Sequence, residues 1–63
     1  MNEQLRESFL KTYANIPINL REDIVLMLDK LGPVSWNAAY LEIERKSEIS
    51  EIILEELKSL DLI

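Results

Sequence analysis

Cysteine and histidine are both absent from these 63 residues, and glycine occurs once. Without cysteine no disulfide can staple the chain, and without either residue the usual zinc ligand sets cannot form. The nucleophile–base pairs of most covalent catalysis go with them. One glycine cannot build a phosphate-cradling loop. The longest uninterrupted apolar run is Ile24-Val25-Leu26-Met27-Leu28, far below the ~20 residues of a membrane-spanning helix. Positive charge is also scarce: seven Lys and Arg against twelve Asp and Glu give a formal charge of −5. Such a balance repels nucleic acid and anionic membrane unless the bases gather on one face. They do not gather in sequence, since only Arg45 and Lys46 are adjacent.

What is present is apolar. Hydrophobic residues make up 48% of the chain, enough for a core and too many for a disordered segment. Residues 1–63 are read as one domain. A chain this short buries only about 60% of its unfolded surface, so stability must come from close packing or from association. The opening Met1-Asn2-Glu3-Gln4 is polar and acidic, unlike a signal peptide. A soluble, cytoplasmic protein is expected.

Periodicity predicts an all-α fold, a compact bundle of four short helices over about residues 2–15, 20–31, 36–45 and 48–60. In the first, Asn2 is the cap, Leu5, Phe9 and Tyr13 recur every four residues with Leu10 beside them, and Pro17 stops the helix. In the second, Asn19-Leu20-Arg21-Glu22 fits a capping box, and Leu20, Ile24, Leu28 and Leu31 follow at helical spacing with Met27 alongside. Val25 and Leu26 fall off that stripe, so this helix is apolar nearly all round and is expected at the centre. Gly32 then suits a left-handed C-terminal residue, with Pro33 as the stop.

Ser35 caps the third helix, whose stripe is Trp36, Ala39, Tyr40 and Ile43. No glycine or proline follows Pro33, so a single helix over residues 36–60 has to be weighed. Phase argues against it. At about 100° per residue, Trp36, Ala39 and Tyr40 lie within roughly 60° of Ile43, whereas Ile49, Ile52, Ile53, Leu57 and Leu60 centre roughly 90–100° away. One straight helix cannot present both stripes to one core. The polar run Glu44-Arg45-Lys46-Ser47 marks the break, with Ser47 capping the fourth helix.

Few residues carry a chemical signal. Carboxylates at Glu51/Glu55 and Glu55/Glu56 fall on the wet face of the fourth helix, where a paired-carboxylate site would lack a pocket. No calcium-loop spacing occurs. No enzyme activity, cofactor or metal is therefore expected. Trp36 and Tyr40 share a face and are read as core, with an interface anchor as the sharper alternative. Leu41 and Leu54 lie off their helical stripes. Several such residues in so small a protein predict a patch covered by a second copy or another protein.

Residues 20–63 resemble the helical part of a winged helix-turn-helix domain. The resemblance lies in the leading helix Leu20-Arg21-Glu22-Asp23-Ile24-Val25-Leu26-Met27-Leu28, the Gly32-Pro33-Val34-Ser35 link, the Ala38-Ala39 pair, and the ending Leu57-Lys58-Ser59-Leu60-Asp61-Leu62-Ile63. It implies a tri-helical core with a second helix that reads DNA. Two features depart from it. No wing hairpin is expected after Ile63, and the helix in the reading position carries Glu48, Glu51, Glu55 and Glu56, where DNA contact needs Arg, Lys, Asn or Gln.

The leading expectation is a non-enzymatic protein-interaction module on a wingless helix-turn-helix-like scaffold, a homo-oligomer or partnered by another protein. Its interaction surface is expected at Leu41, Leu54, Glu48, Glu51 and Glu55. The alternative is a dimeric DNA-binding regulator using Arg45 and Lys46 on phosphates. A third reading makes the acidic helix a mimic of nucleic acid.

Overall fold

The computed structural model describes residues 3–29 and 32–63. In chain order these form helix α1 (Glu3–Ala14), a 3-10 turn (Ile18–Leu20), strand β1 (Ile24–Leu28), strand β2 (Gly32–Ser35), helix α2 (Trp36–Arg45) and helix α3 (Glu48–Ser59). The chain is thus a mixed α/β domain, three helices with a two-stranded antiparallel sheet, and not the expected all-α bundle of four helices. The helix expected over residues 20–31 is replaced by the turn and the hairpin.

The replaced segment has a physical explanation. A run of five apolar residues has no period of its own, and either a buried helix or a strand can use it. Ile24 and Val25 are β-branched and favour the strand. Proline at position 17 sets an extended backbone (φ −56°, ψ 142°) that leads into the 3-10 turn, so Asn19 lies inside that turn and caps no helix. Gly32 does adopt the left-handed conformation expected of it, φ 78°, but as the first residue of β2. The pairing is Leu26 with Val34, Met27 with Pro33 and Leu28 with Gly32. One extra residue, Val25, is accommodated before Ile24 meets Ser35. Alternation then buries Leu26 and Val34 and leaves Met27 and Pro33 outside. The expected cap Asn2 and stripe member Leu31 lie outside the described residues.

The three remaining helices fall close to their expected ranges. In α1, Phe9 is fully buried, and Leu5, Leu10 and Tyr13 pack against the core. The Ser35 hydroxyl caps α2, accepting from the Ala38 amide at 3.1 Å. The α2–α3 break comes where the charge run predicts it. Lys46 takes the left-handed conformation, φ 54°, and its N–H donates to the carbonyls of Glu42 and Ile43. Ser47 occupies the N-cap position of α3 but does not cap it with its side chain. Its hydroxyl turns back to Glu42 Oε1 at 2.7 Å, so Glu42 ties the turn from both ends.

The core is Phe9, Leu26, Val34, Ala39, Ile43, Ile53, Leu54 and Leu57. The buried stripe of α3 is Ser50, Ile53, Leu54 and Leu57, rotated from the expected one, so Ile52 and Leu60 face solvent. Ser50 hides this stripe in the sequence because it is polar. Its hydroxyl donates to the Ser47 carbonyl, which removes the cost of burying it.

Two substitutions test the backbone reading with opposite signs. A Cβ added at Gly32 meets nothing within 4 Å, so Gly32→Ala should cost about 1 kcal/mol through its positive φ alone. Lys46→Gly relieves the same constraint at φ 54° and should gain a few tenths of a kcal/mol to about 1 kcal/mol. Urea denaturation followed by Trp36 fluorescence measures both.

Candidate interaction surface

The hairpin is held to the helices by a cluster of aromatic and polar groups. Tyr13 on α1 stacks on Tyr40 of α2, centroids 4.6 Å apart and planes 11° from parallel. The Arg21 guanidinium carbon sits 4.4 Å from the centroid of the same Tyr13 ring. Two groups this close must take opposite faces, so Tyr13 is held between them. Arg21 is oriented by its Nε, which donates to the Ile16 carbonyl at 3.0 Å. The Tyr13 hydroxyl donates to Asn37 Oδ1 at 2.8 Å. Trp36 and Tyr13 flank Phe9, with centroids 6.1 and 5.9 Å from it. Trp36 and Tyr40 therefore pack inward against the core.

Main-chain bonds complete the attachment. The Trp36 amide donates to the Asp23 carbonyl at 3.3 Å, and the Asn37 amide to the Arg21 carbonyl at 2.9 Å. With Ala38 on Ser35 Oγ, the first three amides of α2 all have acceptors. The helix N-terminus, which in other proteins receives anions, is here consumed by the chain itself.

This attachment leaves one side of β1 facing outward. Ile18 is 79%, Met27 68%, Ile24 56% and Leu20 45% exposed, all within ten consecutive residues. Glu22, Asp23 and Asp29 beside them are exposed too. The helical spacing of Leu20 and Ile24, with Met27 alongside, places these residues in a buried central helix and so hides them as surface. The available signal was a purely apolar run set between Glu22-Asp23 and Asp29.

The residues expected to form the surface are scattered. Leu41 is exposed on α2, 53%. Leu54 is not available, because it is 1% exposed and belongs to the core. Glu48, Glu51 and Glu55 are exposed along α3. Arg45 and Lys46 lie at the α2–α3 turn, Arg45 3.8 Å from the Glu42 carboxylate. Arg6 is 3.5 Å from Glu44. Of the two bases at the turn, Arg45 thus lies beside an acid and Lys46 is exposed. The leading helix on which the winged-helix resemblance rests is a turn and a strand, which leaves α2, the turn and α3 to carry it.

Hollows among the described residues are small or open. One of about 130 Å³ lies between Leu5, Glu51, Leu54 and Glu55, below the ~300 Å³ of ordinary ligand sites. Another is a solvent-open depression along α1. No group of three or more carboxylates able to hold a metal ion occurs among the described residues. None of their helices is long and apolar enough to cross a membrane.

Removing only the Tyr13 hydroxyl tests the attachment. Tyr13→Phe keeps the stack and loses the bond to Asn37, and should cost about 1 kcal/mol in chemical denaturation. Compared with models of protein families, with curated proteins and with solved structures, the chain matches none.

Proposed function

We propose that the chain is a non-enzymatic protein-interaction module. The observation that carries this reading is the outward side of β1 and the turn before it, where Ile18, Leu20, Ile24 and Met27 remain in water. Full burial of one such side chain is worth about 1.5–3 kcal/mol, so a protein that covered several would gain affinity from them. Their density on one short segment distinguishes them from singly scattered apolar residues, which need no explanation. Self-association belongs to the reading, since Leu41, Ile52 and Leu60 add further exposed apolar surface on the helices.

Charge supports protein over DNA as the partner. Arg6 and Arg45 lie beside carboxylates, and Arg21 lies on Tyr13. Helix α3 meanwhile presents Glu48, Glu51, Glu55 and Glu56. Four carboxylates set against phosphates cost affinity.

Light scattering at several hundred micromolar is expected to give a mass above that of the monomer. Crosslinking in an extract of the source cells should recover a protein that the Ile24→Lys, Met27→Lys double variant does not recover. Both positions are exposed, so the variant should keep the wild-type Trp36 emission. A strict monomer that captures no protein overturns the reading. So does tight, salt-sensitive DNA binding in a gel shift that Arg45→Glu with Lys46→Glu abolishes.

A further inference from the structure

Resting on the protein-interaction reading, we infer that the free edge of β1 takes an extended peptide strand with an apolar centre flanked by lysine or arginine. The sheet has two strands, so β1 has β2 along one edge and no described strand along the other. Strand edges expose main-chain N–H and C=O groups in the spacing that another strand satisfies. Proteins usually blunt such an edge with proline or an inward charge. Here β2 carries Pro33, which has no N–H to offer. The five residues of β1 are Ile, Val, Leu, Met and Leu, with neither proline nor charge, and the bulge at Val25 leaves Leu26–Leu28 in regular pairing.

The occupant is selected by what surrounds the edge. Exposed Ile24 and Met27 supply apolar contact for a strand laid beside them. Glu22 and Asp23 stand before the strand and Asp29 follows it, all exposed, with Lys30 next in sequence, so the acidic charge is heavier at the start of the strand than at its end. A peptide apolar over its centre and basic at its ends matches this pattern in both respects.

A second copy matches it poorly. Two-fold antiparallel pairing of β1 with itself brings the Glu22-Asp23 end of one copy to the Asp29 end of the other, where Lys30 follows in sequence and offsets only part of the acidic charge. Like charges placed opposite each other across strands are destabilising, and each chain carries −5 overall. The edge is also short. Five residues span about 17 Å, enough for main-chain bonds to a peptide but a small part of the ~1,600 Å² that a standard stable interface buries.

The test is fluorescence anisotropy of a fluorescein-labelled peptide titrated with the full chain at low salt. The peptide alternates valine and threonine over its centre and carries two lysines at each end. Saturable binding with a Kd of about 10–100 μM is expected, as main-chain pairing over one short strand provides. Replacing the lysines by glutamates should weaken it at least about tenfold, and salt should narrow that gap. N-methylating alternate amides on the pairing edge should abolish binding. The Glu22→Lys, Asp23→Lys, Asp29→Lys variant should reverse the preference between the two peptides. Amide NMR shifts should fall on Ile24–Leu28 and spare α3.

No saturation by millimolar protein, equal affinity for both flanks, or tolerance of N-methylation each overturns the inference. Shifts of Ile24–Leu28 amides on dilution without peptide would assign the edge to a second copy and overturn it as well. If the charge variant does not fold, the glutamate-flanked and N-methylated peptides against wild-type chain still decide. Peptide failure alongside persistent self-association removes this inference alone. Failure of both removes the protein-interaction reading too.

Discussion

Two hydrogen bonds at the start of α2 constrain the rest of this structure. A helix begins with amides that have no partner inside it. In α2 the Trp36 and Asn37 amides are met by the carbonyls of Asp23 and Arg21. That fixes the chain leaving α1 against the first turn of α2, and the segment between can only run out and return. A two-stranded hairpin is marginal by itself in water. This one persists because its base is bonded to a helix end and its inner residues, Leu26 and Val34, enter the helical core. The Tyr13–Arg21 contact fastens the same segment to α1 from the other side. Helix termini, aromatic packing and sheet are therefore one arrangement, and loosening the segment over residues 21–23 would loosen all three.

What could be read from sequence follows from where periodicity existed. Helices α1, α2 and α3 have apolar spacing with recognisable ends at Pro17, Ser35 and the Glu44–Ser47 run, and each lies close to its expected range. The hairpin did not show itself because Leu20, Ile24, Leu28 and Leu31 happen to fit a helical spacing while Ile24 to Leu28 are all apolar. A bulge at Val25 further disturbs the alternation that would betray a strand. The same error moved the surface. Met27 and Ile24, which a central helix would bury, are exposed, and Leu26, which helical spacing puts off the stripe, is buried. In α3 the misreading was one of phase, caused by a single buried serine whose hydroxyl is satisfied locally.

The electrostatic character follows from the fold as much as from composition. Arginine side chains lie against partners: Arg6 at Glu44, Arg21 at Tyr13 and the Ile16 carbonyl, and the exposed Arg45 at Glu42. Exposed carboxylates also stand along α3 and beside the hairpin. With seven bases against twelve acids, the surface these groups form is acidic on balance. That surface acts against phosphate backbones at long range, whatever the shape of the α2–α3 turn.

Leaving an apolar strand edge open is hazardous for so small a domain, because identical edges pair and aggregate. The acids beside β1 counter this, since in antiparallel pairing Glu22 and Asp23 meet the Asp29 end of another copy while leaving the edge itself unblocked. A proline or an inward charge within β1, by contrast, would protect against every partner alike. Flanking charge is selective protection: it excludes strands of its own sign and admits the opposite one. Proline and charge are missing from β1, which is short and bulged at Val25, and carboxylates stand at both its ends. One set of residues thus serves solubility and selectivity together, which favours an edge kept for a partner over one left open by default.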